Sequence, residues 1–197
     1  MAFIADTAFE ARITNGEFDA LCNVTGKYQA SSADADCSAG LLCVRTTQMP
    51  CEGFTGIYNE NAWIMNAATA SVNANDVIYA CDPYDAQLIS NGTNNYYIGT
   101  RTLGLGIPAG EYGTFKRIVF DGQHVYRFGV GNLTAELSTN TVLKPAANGL
   151  LTPAAAAPTA AGSVYFEVRG SGNFTEGTSD SFGYVDAVAK TVVVATA

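Results

Sequence analysis

The residues able to carry chemistry are few in this chain, and they are widely spaced. There is one histidine, His124, and no ionisable partner surrounds it at a catalytic spacing. The five cysteines, Cys22, Cys37, Cys43, Cys51 and Cys81, all fall in the first 81 residues, at spacings of 15, 6, 8 and 30. No CxxC pair occurs, so the paired thiolates of a structural zinc site have no sequence basis. A nucleophilic cysteine needs a neighbouring base, and His124 adjoins none of the five. An odd count leaves at least one thiol unpaired within a monomer. With no export signal at the start, reduced buried thiols are the expected state.

The carboxylates read the same way. Asp34 and Asp36 resemble half of a calcium loop, but the glycine and distal glutamate of an EF-hand loop are missing, which predicts a solvated turn. Asp76, Asp82, Asp85 and Glu111 are too scattered to nominate a glycosidase pair. Gly104-Leu105-Gly106, followed by Gly110 and Gly113, lacks both the Lys-Ser/Thr of a P-loop and the GxGxxG spacing, so Pro108-Ala109-Gly110 is read as a turn. No GxSxG elbow is present. The sequons at Asn23, Asn91, Asn132 and Asn173 are read as chance in an Asn/Thr-rich chain. The expectation is a non-enzyme with no catalytic, cofactor or metal residues.

Charge narrows the partners. Eighteen acidic against ten basic residues give a net charge of −8. Binding nucleic acid through phosphate neutralisation needs a basic face, and anionic membranes repel such a chain. No apolar run reaches the roughly 18–20 residues that span a bilayer. Asp6 and Glu10 lie where the apolar core of a signal peptide would sit, so the chain as written is not expected to be an exported precursor, a mature form with an added Met1 being the alternative.

The elements that must position these residues are β-strands. The chain is 48% hydrophobic and 14% charged, with 20 Gly, 10 Tyr and 10 Phe. The predicted fold is all-β, a mainly antiparallel barrel or sandwich, with an N-terminal arm and at most one or two short helices. Residues 1–20 are expected to form the arm and 21–144 the main β-rich domain. Residues 145–162 read as an Ala/Pro-rich loop or linker, and 163–197 as C-terminal strands completing the main domain. Thr114–Phe120 and Val125–Val130, joined by Asp121-Gly122-Gln123-His124, predict a hairpin with His124 at its tip. Asp82-Pro83 reads as a helix start ending at Asn91-Gly92, and Tyr96-Tyr97-Ile98 as a strand. In the last strands, Val164, Phe166 and Val168 alternate inward against Tyr165, Glu167 and Arg169.

Three features together suggest a family. They are the unprocessed start Met1-Ala2-Phe3, the step Cys37-Ser38-Ala39-Gly40-Leu41-Leu42-Cys43-Val44 into a strand, and the Ala/Pro-rich interruption before a short β C-terminus. Over its whole length the chain resembles the capsid decoration (auxiliary head or cement) proteins of tailed bacteriophages, from whose usual pattern the cysteines depart. The resemblance implies a non-enzymatic virion protein, made in the host cytoplasm, that binds the outer face of an icosahedral shell. It would bridge neighbouring subunits of the major capsid protein and self-associate, with a trimer suspected. Within that reading Phe3, Ile4 and Phe9 are the candidate capsid or intersubunit contacts, being apolar where no local core is evident. Deleting residues 2–12 should then abolish shell binding and spare the fold. The alternative is a glycan- or receptor-binding β module of a fibre or cell-surface protein, using tyrosines such as Tyr96, Tyr97 and Tyr165. A cysteine enzyme, the third possibility, requires a thiol of depressed pKa.

Overall fold

The computed structural model describes residues 4, 6–12, 23–50, 58–83, 88–90, 95–97, 106–176 and 180–193. Over these residues the chain is all-β and mainly antiparallel, with no helix of seven residues or more. The strands are β1 (Phe9–Arg12), β2 (Asn23–Ala30), β3 (Ala33–Asp34), β4 (Cys37–Ser38), β5 (Leu42–Pro50), β6 (Tyr58–Ala67), β7 (Ile78–Cys81) and β8 (Leu88–Ser90). They continue as β9 (Asn95–Tyr97), β10 (Gly106–Ile107), β11 (Tyr112–Arg117), β12 (Val125–Gly129), β13 (Val142–Pro145), β14 (Leu151–Ala154), β15 (Val164–Glu176) and β16 (Asp180–Thr191).

Two layers result. One is an open sheet in the order β1-β12-β16-β15-β13-β14. The other runs β11-β7-β5-β6-β2-β3 and closes on itself, because β11 also pairs with β2 from Tyr112–Lys27 to Lys116–Asn23. Closure turns β11, β7, β5, β6 and β2 into a five-stranded barrel and removes their free edges. Among the described strand pairings only β2 with β6 is parallel.

Residue alternation in β5 and β7 ties the layers together. Cys43, Tyr79 and Cys81 point into the barrel with Phe115, Met65, Tyr28, Ile107 and Cys37. Their neighbours Leu42, Ile78 and Ala80 point out, into a second core shared with the open sheet. That is why β7 reads Ile-Tyr-Ala-Cys and is buried at every position: both of its faces are dry. The sheet contributes Tyr126, Phe128, Phe166, Val185 and Leu151 to the second core. Phe128 meets Phe166 edge-on with ring centroids 5.4 Å apart, and Phe9 packs on Phe128 at 5.6 Å. Each such buried ring contributes about 1.5–3 kcal/mol by leaving water.

Four expectations change. The predicted hairpin at Asp121-Gly122 does not form. β11 belongs to the barrel and β12 to the open sheet, so residues 118–124 cross between layers. Ile118 N still donates to Ile78 O, and Val119 N then donates to the Tyr126 hydroxyl at 2.8 Å. A local turn loses here because each run finds two non-local partners, β7 and β2 for one and β1 and β16 for the other.

The N-terminal arm is only partly an arm, since residues 9–12 form β1 on the edge of the open sheet. The Ala/Pro-rich stretch is half structured. Pro145 ends β13, Asn148 (φ 59°) and Gly149 (φ 72°) make the turn, and β14 returns along β13 with Leu151 fully buried. Pro153 is tolerated because β14 is the last strand of its sheet. The helix predicted from Asp82-Pro83 is replaced at Leu88–Ser90 by strand β8, paired with β9; residues 84–87 lie outside the described set.

Candidate functional site

His124 sits on the layer crossing, held by a local acid. Asp121 Oδ1 accepts from the backbone N–H groups of Gln123 (2.8 Å) and His124 (3.1 Å), while its Oδ2 meets His124 Nδ1 at 2.7 Å. Partial burial opposes ionisation of Asp121, but these backbone donors and the imidazole outweigh it and hold the carboxyl below its ordinary range. The imidazole stacks on Tyr126 at 6.5 Å. The pair pins a corner of the fold.

The other sequence candidates are equally committed to structure. Asp34 bonds Lys27 at 2.6 Å and accepts from Gln29, which lowers its pKa, and Asp36 Oδ1 accepts from Ala109 N. Neither carboxylate is arranged for calcium, and among the described residues no three His, Cys, Asp or Glu side chains are placed to hold a metal ion. Cys37, Cys43 and Cys81 are unbridged and buried in the barrel. Burial, reinforced by the neighbouring thiols, pushes Cys37 well above the ordinary thiol range, and burial also raises Cys81. This is the reverse of what a nucleophile requires. Cys22 and Cys51 lie outside the described residues.

Of the candidate contact residues, Phe9 is not a free apolar group: it is 9% exposed and stacks on Tyr126 in the shared core. The missing local core is supplied by β12, which lies more than a hundred residues further along the chain. Ile4 is 39% exposed, and its N–H donates to Ser38 Oγ. Phe3 lies outside the described residues. Asn132, a sequon asparagine, is fully buried. Its Oδ1 accepts from Ala8 N and Gly129 N, and its Nδ2 donates to Ala39 O at 2.8 Å.

What the sequence did not single out is the outer face of the open sheet. Register aligns Glu10, Arg127, Asp186 and Gly170 in one row across β1, β12, β16 and β15. Arg127 is 4% exposed and grips Asp186 bidentately, Nε to Oδ1 at 2.6 Å and Nη2 to Oδ2 at 2.7 Å. Its guanidinium lies 3.8 Å from the centre of the Tyr184 ring, and Glu10 stands 3.8 Å from Nη1. Burial works against the charge, but Asp186 outweighs it and raises the Arg127 pKa. Tyr184 can lie across the sheet because Gly172 faces it: a Cβ there would stand 2.7 Å from the Tyr184 oxygen. A β-bulge between Val168 and Gly170 sets this alignment. Nothing in the local sequence reveals the row, because its four members come from four strands.

Past this row, β15 and β16 continue as a two-stranded ribbon. The pairs Asn173–Gly183, Phe174–Phe182, Thr175–Ser181 and Glu176–Asp180 have no third strand beside them among the described residues. The sole tryptophan, Trp63, is half-buried in the barrel wall, with the Arg45 guanidinium 4.6 Å over its ring. The outer face therefore carries a polar-aromatic row that continues into the two-stranded β15–β16 ribbon. No protein-family model, curated protein or solved structure matches the chain.

Proposed function

We propose that this chain is a non-enzymatic structural protein that decorates an icosahedral phage shell and bridges neighbouring subunits of its major capsid protein. The observation that carries the reading is the β15–β16 ribbon beyond Tyr184. Its four residue pairs reach roughly 13 Å past the sheet, at about 3.3 Å per residue. Register sets Phe174 opposite Phe182 within that ribbon. An apolar pair on a projecting ribbon suits insertion against a neighbouring subunit. Ile4, exposed at the end of the N-terminal segment, is a second contact in this reading. Contacts that exist only in the assembled, expanded shell would stabilise that state by linkage.

The structure redraws the test. Deleting residues 2–12 would remove β1 and Phe9 and so damage the core. The informative variants are a deletion of residues 2–5 and a shortened ribbon in which Asn-Gly replaces residues 173–183. Light scattering of the full chain, with and without empty expanded phage capsids, measures its own assembly state and its uptake. The expected result is a trimer taken up stoichiometrically, with uptake lost in the short-ribbon variant. Equal uptake by that variant would refute the arm's role. A monomer that ignores capsids but binds immobilised glycans would replace this reading with a glycan-binding module.

A further inference from the structure

We propose that the barrel interior carries a redox lock: a single disulfide in which Cys37 is the obligate member, paired with either Cys43 or Cys81. The three thiols come from three separate strands, β4, β5 and β7, and all are fully buried in one cluster. Cys37 is central. Cys81 Sγ donates to the Cys37 carbonyl at 3.5 Å, and Cys37 shares one buried cluster with both other thiols. Cys43 instead turns its thiol to the Leu41 carbonyl at 3.6 Å.

Register excludes the third combination. Cys43 lies opposite Tyr79, and Cys81 N donates to Leu41 O, so Cys43 and Cys81 are diagonal neighbours on adjacent strands. Diagonal positions stand about 7–8 Å apart, beyond the roughly 4.4–6.8 Å that a disulfide spans between Cα atoms. Among the described residues β4 is a two-residue strand paired only with β10, so its Cys37 is the member best able to adjust to either partner.

The chemistry needs a small-molecule disulfide as oxidant, for example oxidised glutathione. One protein thiolate attacks a sulfur of that disulfide, forming a mixed disulfide and releasing one small thiolate. A second protein thiolate attacks the protein-bound sulfur, breaks the mixed bond and releases the second small thiolate. Two protein thiols lose two electrons and two protons, and the small disulfide is reduced to two thiols. Because the thiols are buried in the closed barrel, exchange proceeds through openings of the barrel, and the product ties β4 to the wall it packs against.

The full chain would be incubated in oxidised glutathione with sub-denaturing urea, quenched in acid, alkylated under denaturing conditions and mapped by peptide mass. Expected among Cys37, Cys43 and Cys81 is one link, its linked peptides 2 Da below the sum of the unalkylated reduced peptides, joining Cys37 to Cys43 or Cys81. Cys43→Ala should send all of it to Cys37–Cys81, and Cys81→Ala all of it to Cys37–Cys43. Cys37→Ala should leave Cys43 and Cys81 unlinked. The oxidised wild type should unfold at a higher urea concentration than the reduced form. A Cys43–Cys81 link, or complete alkylation of all three cysteines in the wild type, would overturn the proposal. The wild type and the two partner variants decide the matter even if Cys37→Ala fails to fold.

Discussion

Asn132 joins three segments that are remote in sequence, so its removal tests how the layers are held together. The substitution is Asn132→Ala. Oδ1 now accepts from Ala8 N and Gly129 N, both at 3.1 Å, and Nδ2 donates to Ala39 O. Gly129 N would not be orphaned, because it also donates to Ala8 O at 3.0 Å. Two groups would be left without the asparagine, the Ala8 N–H and the Ala39 carbonyl, at about 1–3 kcal/mol each when buried and unsatisfied. The expected loss is about 2–6 kcal/mol, the lower half applying if water enters. With a urea m-value of about 2 kcal/mol/M, the unfolding midpoint should fall by about 1–3 M. Trp63, in the barrel wall, gives a fluorescence readout distant in sequence from the mutation. A midpoint shift below about 0.3 M, with m unchanged, would refute the claim that this side chain bears the junction.

Three further outcomes follow from the same reasoning. Gly40 has φ +76°, and a Cβ there would stand 2.7 Å from Ala8 O and 2.8 Å from Asn132 Nδ2, so Gly40→Ala should destabilise the same junction. In urea melts, its effect combined with Asn132→Ala should be less than additive. Arg127→Met removes both hydrogen bonds that Arg127 makes to Asp186 and should cost about 2–4 kcal/mol, whereas pairing it with Asp186→Leu should recover much of that loss. A double variant no more stable than the single would count against the ion-pair account. For Asp121 the folded pKa is lowered, so its contribution is present above the unfolded carboxyl value and is lost as pH falls through the folded one. Asp121→Asn should therefore be less stable than wild type near neutral pH, and the gap should close in acid melts below about pH 4. A gap independent of pH would show that the carboxylate charge at this corner is immaterial.

The legibility of the fold in the sequence follows from where the partners of each segment lie. Alternation is local, so the inward set Val164, Phe166 and Val168 was readable: the first two are buried and Val168 packs half-buried against the same core. Pairing is not local. The Asp121-Gly122 dipeptide does make a bend, with Gly122 at φ +78°, but strands already claimed by β7, β2, β1 and β16 turn that bend into a layer crossing. The equally explicit signal Asn148-Gly149 was hidden by its Ala/Pro surroundings, yet it makes the turn between β13 and β14. Phe9 looked unsatisfied because its core neighbours, Tyr126 and Phe128, are supplied from β12.

The outer-face row was illegible for the same reason, and its physics bears on what the face can do. A buried arginine on a sheet exterior is stable only if its charge is matched and its donors are filled. Asp186 and Glu10 match the charge, Tyr184 covers the guanidinium, and Gly172 leaves room for the tyrosine. Arg127 is therefore committed to ordering the strands from which the ribbon projects. An arm of four residue pairs would be marginal in isolation. An ion pair, a stacked ring and a bulge hold its base. Conformational entropy lost in advance is not lost again on binding, so loosening this root should weaken partner binding by the shell as well as stability. Arg127→Met measured in the capsid-uptake assay, at a temperature where the variant stays folded, separates the two effects. Reduced uptake by folded protein would tie the root to the arm, and unchanged uptake would confine Arg127 to stability.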